Sequence, residues 1–357
     1  MMRPMDMTNV QIEIPYLLKI GAGKTERVGK YLYDKNMMRI ALYLGDGIAE
    51  IVGPKLFAGF IQYGINTVHQ QIVTTVDIDE ITHSAFSLSG VDAIVGVGGG
   101  KALDFAKYTA HLLRLPFISI PTSMSNDGFG SSGASITVQG NRKSVKAASP
   151  FGIVIDLDVI KGSPDVFMFS GVGDMLSKIT ALHDWRAARE KGLERYVDFS
   201  SLMAYNSMDI LFLKHCFDIR DENFQRSLCT SLMFSGLAME IAGSSRPASG
   251  SEHLISHALD EISAKPKMHG IQVGIATYLC ALLQKNDKTD DIRIVLENTG
   301  LLDFVKQDPF VHDEFIAAIK LAPGIKNNFY TILSEPESLE RAMAYIQTDP
   351  LLQSVIR

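Results

Sequence analysis

The sequence predicts an α/β N-terminal domain, a Rossmann-like parallel sheet with a small β-hairpin insertion, followed by an all-α C-terminal domain. Three observations predict it. Short apolar runs alternate with amphipathic segments from Ile12 to about Asp158; the strand signal stops after Ser163-Pro164; apolar positions then recur at helical spacing. The change of character near residue 160 divides the chain into 1–160 and 161–357.

The predicted strands are Arg39–Leu44, Ala93–Val97, Phe117–Ile120 and Gly152–Ile155. Between Gly47 and Phe60, the residues Ile48, Ile51, Val52, Leu56 and Phe60 recur at three- and four-residue steps, giving one apolar helical face to pack on a sheet. Parallel strands need such crossovers. Ala134–Val138 and Lys143–Val145, broken at Gly140-Asn141, read instead as a hairpin after a long loop. Helices are expected over Met175–Arg189, Ser200–Lys214, Arg226–Ala242, His253–Leu259 and Gly270–Gln284, with Ser163 and Pro164 suiting a helix start.

Composition bounds the function. The chain has 357 residues, 46% hydrophobic and 21% charged, as in an ordinary globular protein. Its net charge is −6 with no long block of like charges, so neither nucleic acid nor an anionic membrane is an expected partner. Met1 to Val10 is polar, no apolar run is long enough to span a bilayer, and Cys216, Cys229 and Cys280 lie apart without C-x-x-C spacing. These features suit a cytoplasmic protein with buried thiols. A homo-oligomer, by default a dimer, is expected because symmetric dimers are common.

The densest motif is Gly96-Val-Gly98-Gly99-Gly100-Lys101-Ala102-Leu-Asp104, which follows a strand and opens a helix. Glycine lets backbone approach an oxyanion, and the first N–H groups of a helix lack intrahelical partners. The sequence is neither G-x-G-x-x-G nor a Walker loop, and the alternative is a plain glycine turn. Gly21-Ala-Gly23-Lys24-Thr25 only mimics a Walker loop, because Leu18 stands where its first glycine belongs. Asp46, after the strand ending at Leu44, suits ribose hydroxyls and favours NAD over NADP; an Asx turn capping the next helix is its alternative. The hydroxyl-rich loop Pro121–Ser132 leaves another strand end, where α/β sheets bind ligands. Its hydroxyls and amides suit pyrophosphate or nicotinamide, and Asp127 suits a substrate hydroxyl; the alternative is a solvated loop.

Asp174, His253 with His257, and His269 lie where three helices are expected to begin. His253 and His257 share a helical face, but Leu254 replaces the glutamate of H-E-x-x-H. Two imidazoles and a carboxylate make a three-ligand metal site with an open position, whereas each histidine singly reads as a core or capping residue.

Val97–Asp104, Pro121–Gly128, Ser144–Ala147, Ile155–Asp158, Gly173–Lys178, Ser249–His257 and Met268–Gly274 together resemble the sn-glycerol-1-phosphate dehydrogenase branch of the iron-containing alcohol dehydrogenase and dehydroquinate synthase superfamily. The resemblance runs in order from about Gly21 to Gly274 and implies a dehydroquinate synthase-like fold, with NAD(P)-dependent interconversion of dihydroxyacetone phosphate and glycerol 1-phosphate. It implies that Gly98, Gly99, Gly100, Lys101 and Ala102 hold pyrophosphate, with Asp104 nearby, and that Thr122, Ser123, Ser125 and Ser131 contact NAD. It implies Asp174, His253 and His269 as ligands of Zn²⁺, or alternatively Fe²⁺ or Ni²⁺, with Asp127, Asp174 and His257 at the substrate. Lys178, one turn after Asp174, is expected to contact substrate or phosphate; a fourth-ligand histidine is expected there in the iron enzymes, which favours zinc.

These readings imply hydride transfer at the nicotinamide and a metal that takes substrate oxygens, with His257 relaying a proton. Lys143, Lys146, Lys178 and Arg246 are the candidate phosphate contacts. The rival readings are a polyol dehydrogenase acting on an unphosphorylated substrate and, in another reaction class, a dehydroquinate synthase-like sugar-phosphate cyclase.

Overall fold

The computed structural model describes residues 14–212 and 217–357. The polar stretch Met1 to Val10, Lys214 and Cys216 lie outside the described residues; Cys229 and Cys280 are free and buried. The first half contains β1 (Leu17–Gly21), α1 (Val28–Tyr33), β2 (Arg39–Gly45), α2 (Ile48–Tyr63), β3 (Asn66–Val73), α3 (Ile78–Ser87), β4 (Ala93–Gly98), α4 (Gly100–Leu113) and β5 (Phe117–Pro121). A hairpin of β6 (Gly133–Val138) and β7 (Asn141–Lys146) follows, then β8 (Gly152–Asp156) and the short α5 (Leu157–Lys161).

Six strands form a parallel sheet in the order β1-β8-β5-β4-β2-β3. Strands β4, β5 and β8 are buried throughout, as expected of parallel strands covered on both faces. Side chains alternate between two cores: Ile40, Leu42 and Leu44 of β2 join α1 and α2, whereas Ala41 and Tyr43 join α4 and the helical half. The edge strands β1 and β3 were not among the predicted strands. For β3 composition explains this: it reads NTVHQQIV and exposes or half-exposes all but its last residue.

Strand order reverses between β2 and β4, so a crevice opens at their C-terminal ends. There the backbones nearly touch: a Cβ on Gly98, whose φ is +148°, would lie 3.2 Å from the Gly45 Cα. Asp46 therefore sits beside the glycine loop that starts α4.

The second half contains α6 (Asp165–Glu190), α7 (Asp198–Phe212), α8 (Glu222–Ala242), α9 (Ser251–Ile262), α10 (His269–Gln284), α11 (Thr289–Asn298), α12 (Leu301–Gln307), α13 (His312–Leu321), α14 (Ser338–Thr348) and α15 (Pro350–Val355). Helix α6 starts at Asp165, not Met175, with Pro164 at its N-cap. Asp174 is accordingly in the helix interior, a correction to its expected place at a helix start. The cause is packing: Gly171 and Gly173 lie inside α6 and admit neighbouring backbone, since a Cβ on Gly171 would overlap the Met124 carbonyl and one on Gly173 the Gly270 carbonyl. Among the described residues, no helix is long and apolar enough to cross a membrane.

Candidate metal and nucleotide site

Glycines bring the candidate metal ligands together. Gly173 precedes Asp174 on α6 and Gly270 follows His269 on α10, and both admit the other helix's backbone: a Cβ on Gly173 would overlap the Gly270 carbonyl and one on Gly270 the Ser170 carbonyl. The Gly270 N–H donates to Ser170 Oγ at 3.1 Å, which holds the first turn of α10 against α6. His253 enters from the first turn of α9. One ligand atom from each of Asp174, His253 and His269 falls within 4.8 Å of the others.

Each imidazole is anchored through Nδ1 and aims Nε2 inward. His253 Nδ1 lies 2.8 Å from Glu252 Oε1, and its Nε2 lies 3.5 Å from Asp174 Oδ1. His269 Nδ1 lies 3.1 Å from Ser256 Oγ, and its Nε2 lies 4.0 Å from the same Asp174 oxygen. Carboxylate and hydroxyl partners behind the ring are how metal-binding histidines are oriented. Asp174 divides its oxygens: Oδ1 faces the histidines, while Oδ2 accepts the Asp127 N–H at 3.0 Å and lies 3.4 Å from Lys178 Nζ. This donor set fits a divalent metal held by two imidazoles and one carboxylate.

The electrostatics fit such a set at Asp174 and His269; at His253 burial is outweighed by Asp174 and Glu252, which raise the pKa and favour a proton where a metal would sit. Burial opposes ionisation of Asp174, but the Lys178 ammonium, then His253 and His269, hold its carboxyl well below the usual range. Burial, reinforced by His253, pushes His269 down to about 3, so its ring is neutral, as a ligand must be. His257 is close without joining the cluster, its ring centroid 5.7 Å from that of His269 and 6.4 Å from that of His253. Burial and the two neighbouring imidazoles push it down to about 2.

Lys178 has no exposed surface. Its ammonium donates to the Asp174 carbonyl at 2.7 Å and lies 2.9 Å from Asp127 Oδ2 and 3.4 Å from Asp174 Oδ2. Burial works against its charge, yet Asp127 and Asp174 keep its pKa above that of an ordinary lysine. These contacts use its three donors, which corrects the expectation that Lys178 reaches a phosphate. Asp127 also accepts from Ser235 Oγ at 2.6 Å, a partner on α8 that sequence reasoning missed. Glu252 and Ser256, the residues behind the two histidines, were missed as well; the only signal was their place next to or one turn from a histidine.

At the sheet edge, Gly99 caps α4, Lys101 is exposed and Ala102 is buried. A Cβ on Gly100 would meet nothing within 4 Å, and one on Gly99 only Ser123 Oγ at 3.8 Å. This is open space over unpaired helix N–H groups, which fits a pyrophosphate. The Thr122 N–H donates to the Gly98 carbonyl at 3.1 Å, so the loop after β5 borders the same space. Ser123 and Ser125 are half-buried along that loop, and Ser131 is buried beyond the turn. Asp46 is exposed and does not cap α2, so the Asx-turn alternative is not what forms. Asp104 faces elsewhere: it accepts the Ser135 N–H at 3.1 Å and pairs with Lys107 at 3.5 Å, fastening the hairpin to α4 instead of lining the glycine loop. Of the remaining phosphate candidates, Lys143 and Lys146 are exposed on β7, and Arg246 is buried against Glu194.

The iron-containing alcohol dehydrogenase family matches residues 19–164. Over 91% of its length the chain is 34% identical to a glycerol-1-phosphate dehydrogenase [NAD(P)+] of Metallosphaera sedula, covering 93% of that protein. Over 76% of its length it is 35% identical to the enzyme of the same name from Thermococcus kodakarensis, covering 78% of it. Among solved structures, glycerol dehydrogenase from Schizosaccharomyces pombe superposes with a TM-score of 0.75 at 21% identity, over 95% of this chain and 92% of that one. Sulfoacetaldehyde reductase from Bifidobacterium kashiwanohense in complex with NAD+ superposes with a TM-score of 0.69 at 14% identity, over 96% and 100%. These structural likenesses show a shared fold.

Proposed function

This chain belongs to the glycerol-1-phosphate dehydrogenase family, and on that premise we propose that it is a metal- and NAD(P)-dependent oxidoreductase interconverting dihydroxyacetone phosphate and sn-glycerol 1-phosphate. The observation that carries the reading is the convergence of Asp174, His253 and His269 within 4.8 Å, tied through the loop 122–127 to the glycine loop at the reversal of strand order. The names of the relatives favour it over an unphosphorylated polyol or a cyclase reaction.

Gly98, Gly99, Gly100, Lys101 and Ala102 would receive the pyrophosphate, with Thr122, Ser123, Ser125 and Ser131 along the nicotinamide half. Asp174 Oδ1, His253 Nε2 and His269 Nε2 would hold the metal. When bound, the divalent cation supplies Lewis acidity at the substrate oxygens, and the nicotinamide gives or takes the hydride.

The chain's own residues do the rest. Lys178 pairs with Asp127 Oδ2 and Asp174 Oδ2 at one point and so holds the two carboxylates side by side. Asp127 then accepts a substrate hydroxyl and orients it. In reduction, the ketone carbon gains a hydride and its oxygen a proton that comes from water; oxidation reverses both, and neutral His257 would accept the hydroxyl's hydrogen bond and pass the proton on to water without keeping it. Zinc is the metal we propose, because Lys178 stands where a fourth, histidine ligand would be needed. NAD is the proposed cofactor, because Asp46 at the end of β2 would accept ribose hydroxyls and repel a 2′-phosphate.

The test is NADH absorbance during reduction of dihydroxyacetone phosphate beside dihydroxyacetone. Faster NADH loss with the phosphate supports the reading; activity on the plain ketone alone would replace it with a polyol dehydrogenase.

A further inference from the structure

We propose that Lys326, with the hydroxyls of Ser245 and Ser249 beside it, is the site that recognises the phosphate group of the substrate. The inference rests on the function proposed above and supplies what that function still lacks, a cation free to take a phosphate.

The cations expected for the task are otherwise engaged: Lys178 by Asp127 and Asp174, and Arg246 by Glu194, whereas Lys143 and Lys146 point into solvent. Lys326 differs. It follows the 3₁₀ turn Ala322–Gly324, which packs on α9, the helix that carries His253 and His257. It is half-buried and makes no ion pair among the described residues. Among the described residues its ammonium has only the Oγ atoms of Ser245 and Ser249 as hydrogen-bond partners, each at 3.5 Å, the outer limit of such a bond. A half-buried ammonium held this loosely has strong donors left for an anion.

Its setting favours an anion too. Phe329 lies between two cations, with the Lys326 Nζ 4.6 Å and the Arg246 Cζ 3.5 Å from its ring centroid. Burial and Arg246 lower the pKa of Lys326, a cost that a bound phosphate would relieve. Ser245 and Ser249 belong to the segment that leads into α9, so an anion here lies just before the turn carrying His253. Lys326 bears electrostatically on His257, one turn after His253 on α9. A three-carbon substrate with one end at the metal cluster would meet this cation with its other end.

The test uses the full-length, metal-loaded enzyme. Lys326→Gln should cut the kcat/KM preference for dihydroxyacetone phosphate over dihydroxyacetone on the order of 10- to 100-fold, with bound metal retained, and Lys326→Arg should recover part of it. A wild-type preference in Lys326→Gln overturns the inference. An unaltered enzyme with no preference for the phosphate overturns the proposed function and this inference together. Should the glutamine variant not fold, amine labelling of the unaltered enzyme decides: glycerol 1-phosphate should protect Lys326 where glycerol does not, and equal labelling with both overturns the assignment.

Discussion

The backbone N–H of Asp127 donates to Oδ2 of Asp174 at 3.0 Å, joining the loop that leaves β5 to the middle of α6. One hydrogen bond thus links the nucleotide half to the candidate metal ligand. Lys178 completes the joint by pairing with both carboxylates.

Removing Lys178 should therefore cost stability chiefly when the metal is absent. Lys178→Met leaves Asp127 and Asp174 buried without a counter-charge, a loss of about 3 kcal/mol. Urea unfolding of chelated and zinc-loaded protein should show the larger loss in the chelated form. Equal losses in both would mean that the metal does not share the charge of Asp174.

Gly270→Ala should damage the fold and the site at once. Its Cβ would overlap the Ser170 carbonyl, so α10 must shift by displacing its neighbouring residue His269. Overpacking of this kind costs about 1–3 kcal/mol. Metal content by elemental analysis should fall with the melting temperature, and full occupancy in a destabilised variant would contradict the role given to this contact.

The opposite pattern is expected at Gly100, where a Cβ meets open space. Gly100→Leu should leave the melting temperature within about a degree of the unaltered enzyme, since exposed substitutions away from special features cost little. It should raise the KM for NADH at least about tenfold by filling the pyrophosphate cradle. An unchanged KM would place the cofactor elsewhere.

Asp184 predicts a pH dependence. It is buried, and burial, followed by the charge of Glu252, pushes its carboxyl up to about 6 from 3.8. A raised folded-state pKa means that the protonated form is the favoured one. The stability it contributes is present below the unfolded value and is lost as pH rises through about 6. The stability of the unaltered protein minus that of Asp184→Asn should thus fall on the order of 3 kcal/mol from about pH 4 to about pH 6, then level off. A difference that is flat, or that grows with pH, would show Asp184 ionised in the fold at low pH.

The parts of the fold written in local pattern could be read directly. Strands β2, β4, β5 and β8 are apolar runs because both faces of each are covered; the hairpin was legible too, though its turn is Gln139-Gly140, one residue before the predicted break, and Asn141 already belongs to β7. Strand β3 escaped because an edge strand need not be apolar; Ser163-Pro164 did mark the start of α6, but its first turns up to Asp174 escaped because Gly171 and Gly173 imitate a loop while serving as contact points for distant backbone. At the site, residue types marked Asp174, His253, His257 and His269 as candidates, and the family resemblance chose Asp174, His253 and His269 among them. Direction was not legible: whether Lys178 turns toward solvent or toward Asp127, and whether Asp104 turns toward the glycine loop or toward Ser135, depends on partners far along the chain.

The most direct test of the central claim is to strip the enzyme with a chelator and follow NADH oxidation by dihydroxyacetone phosphate as zinc is returned. Activity should be absent at first and rise in proportion to bound zinc until one ion is held per chain, with no such rise in Asp174→Ala. Undiminished NADH oxidation in the stripped enzyme, or a full complement of zinc in Asp174→Ala, would contradict the account.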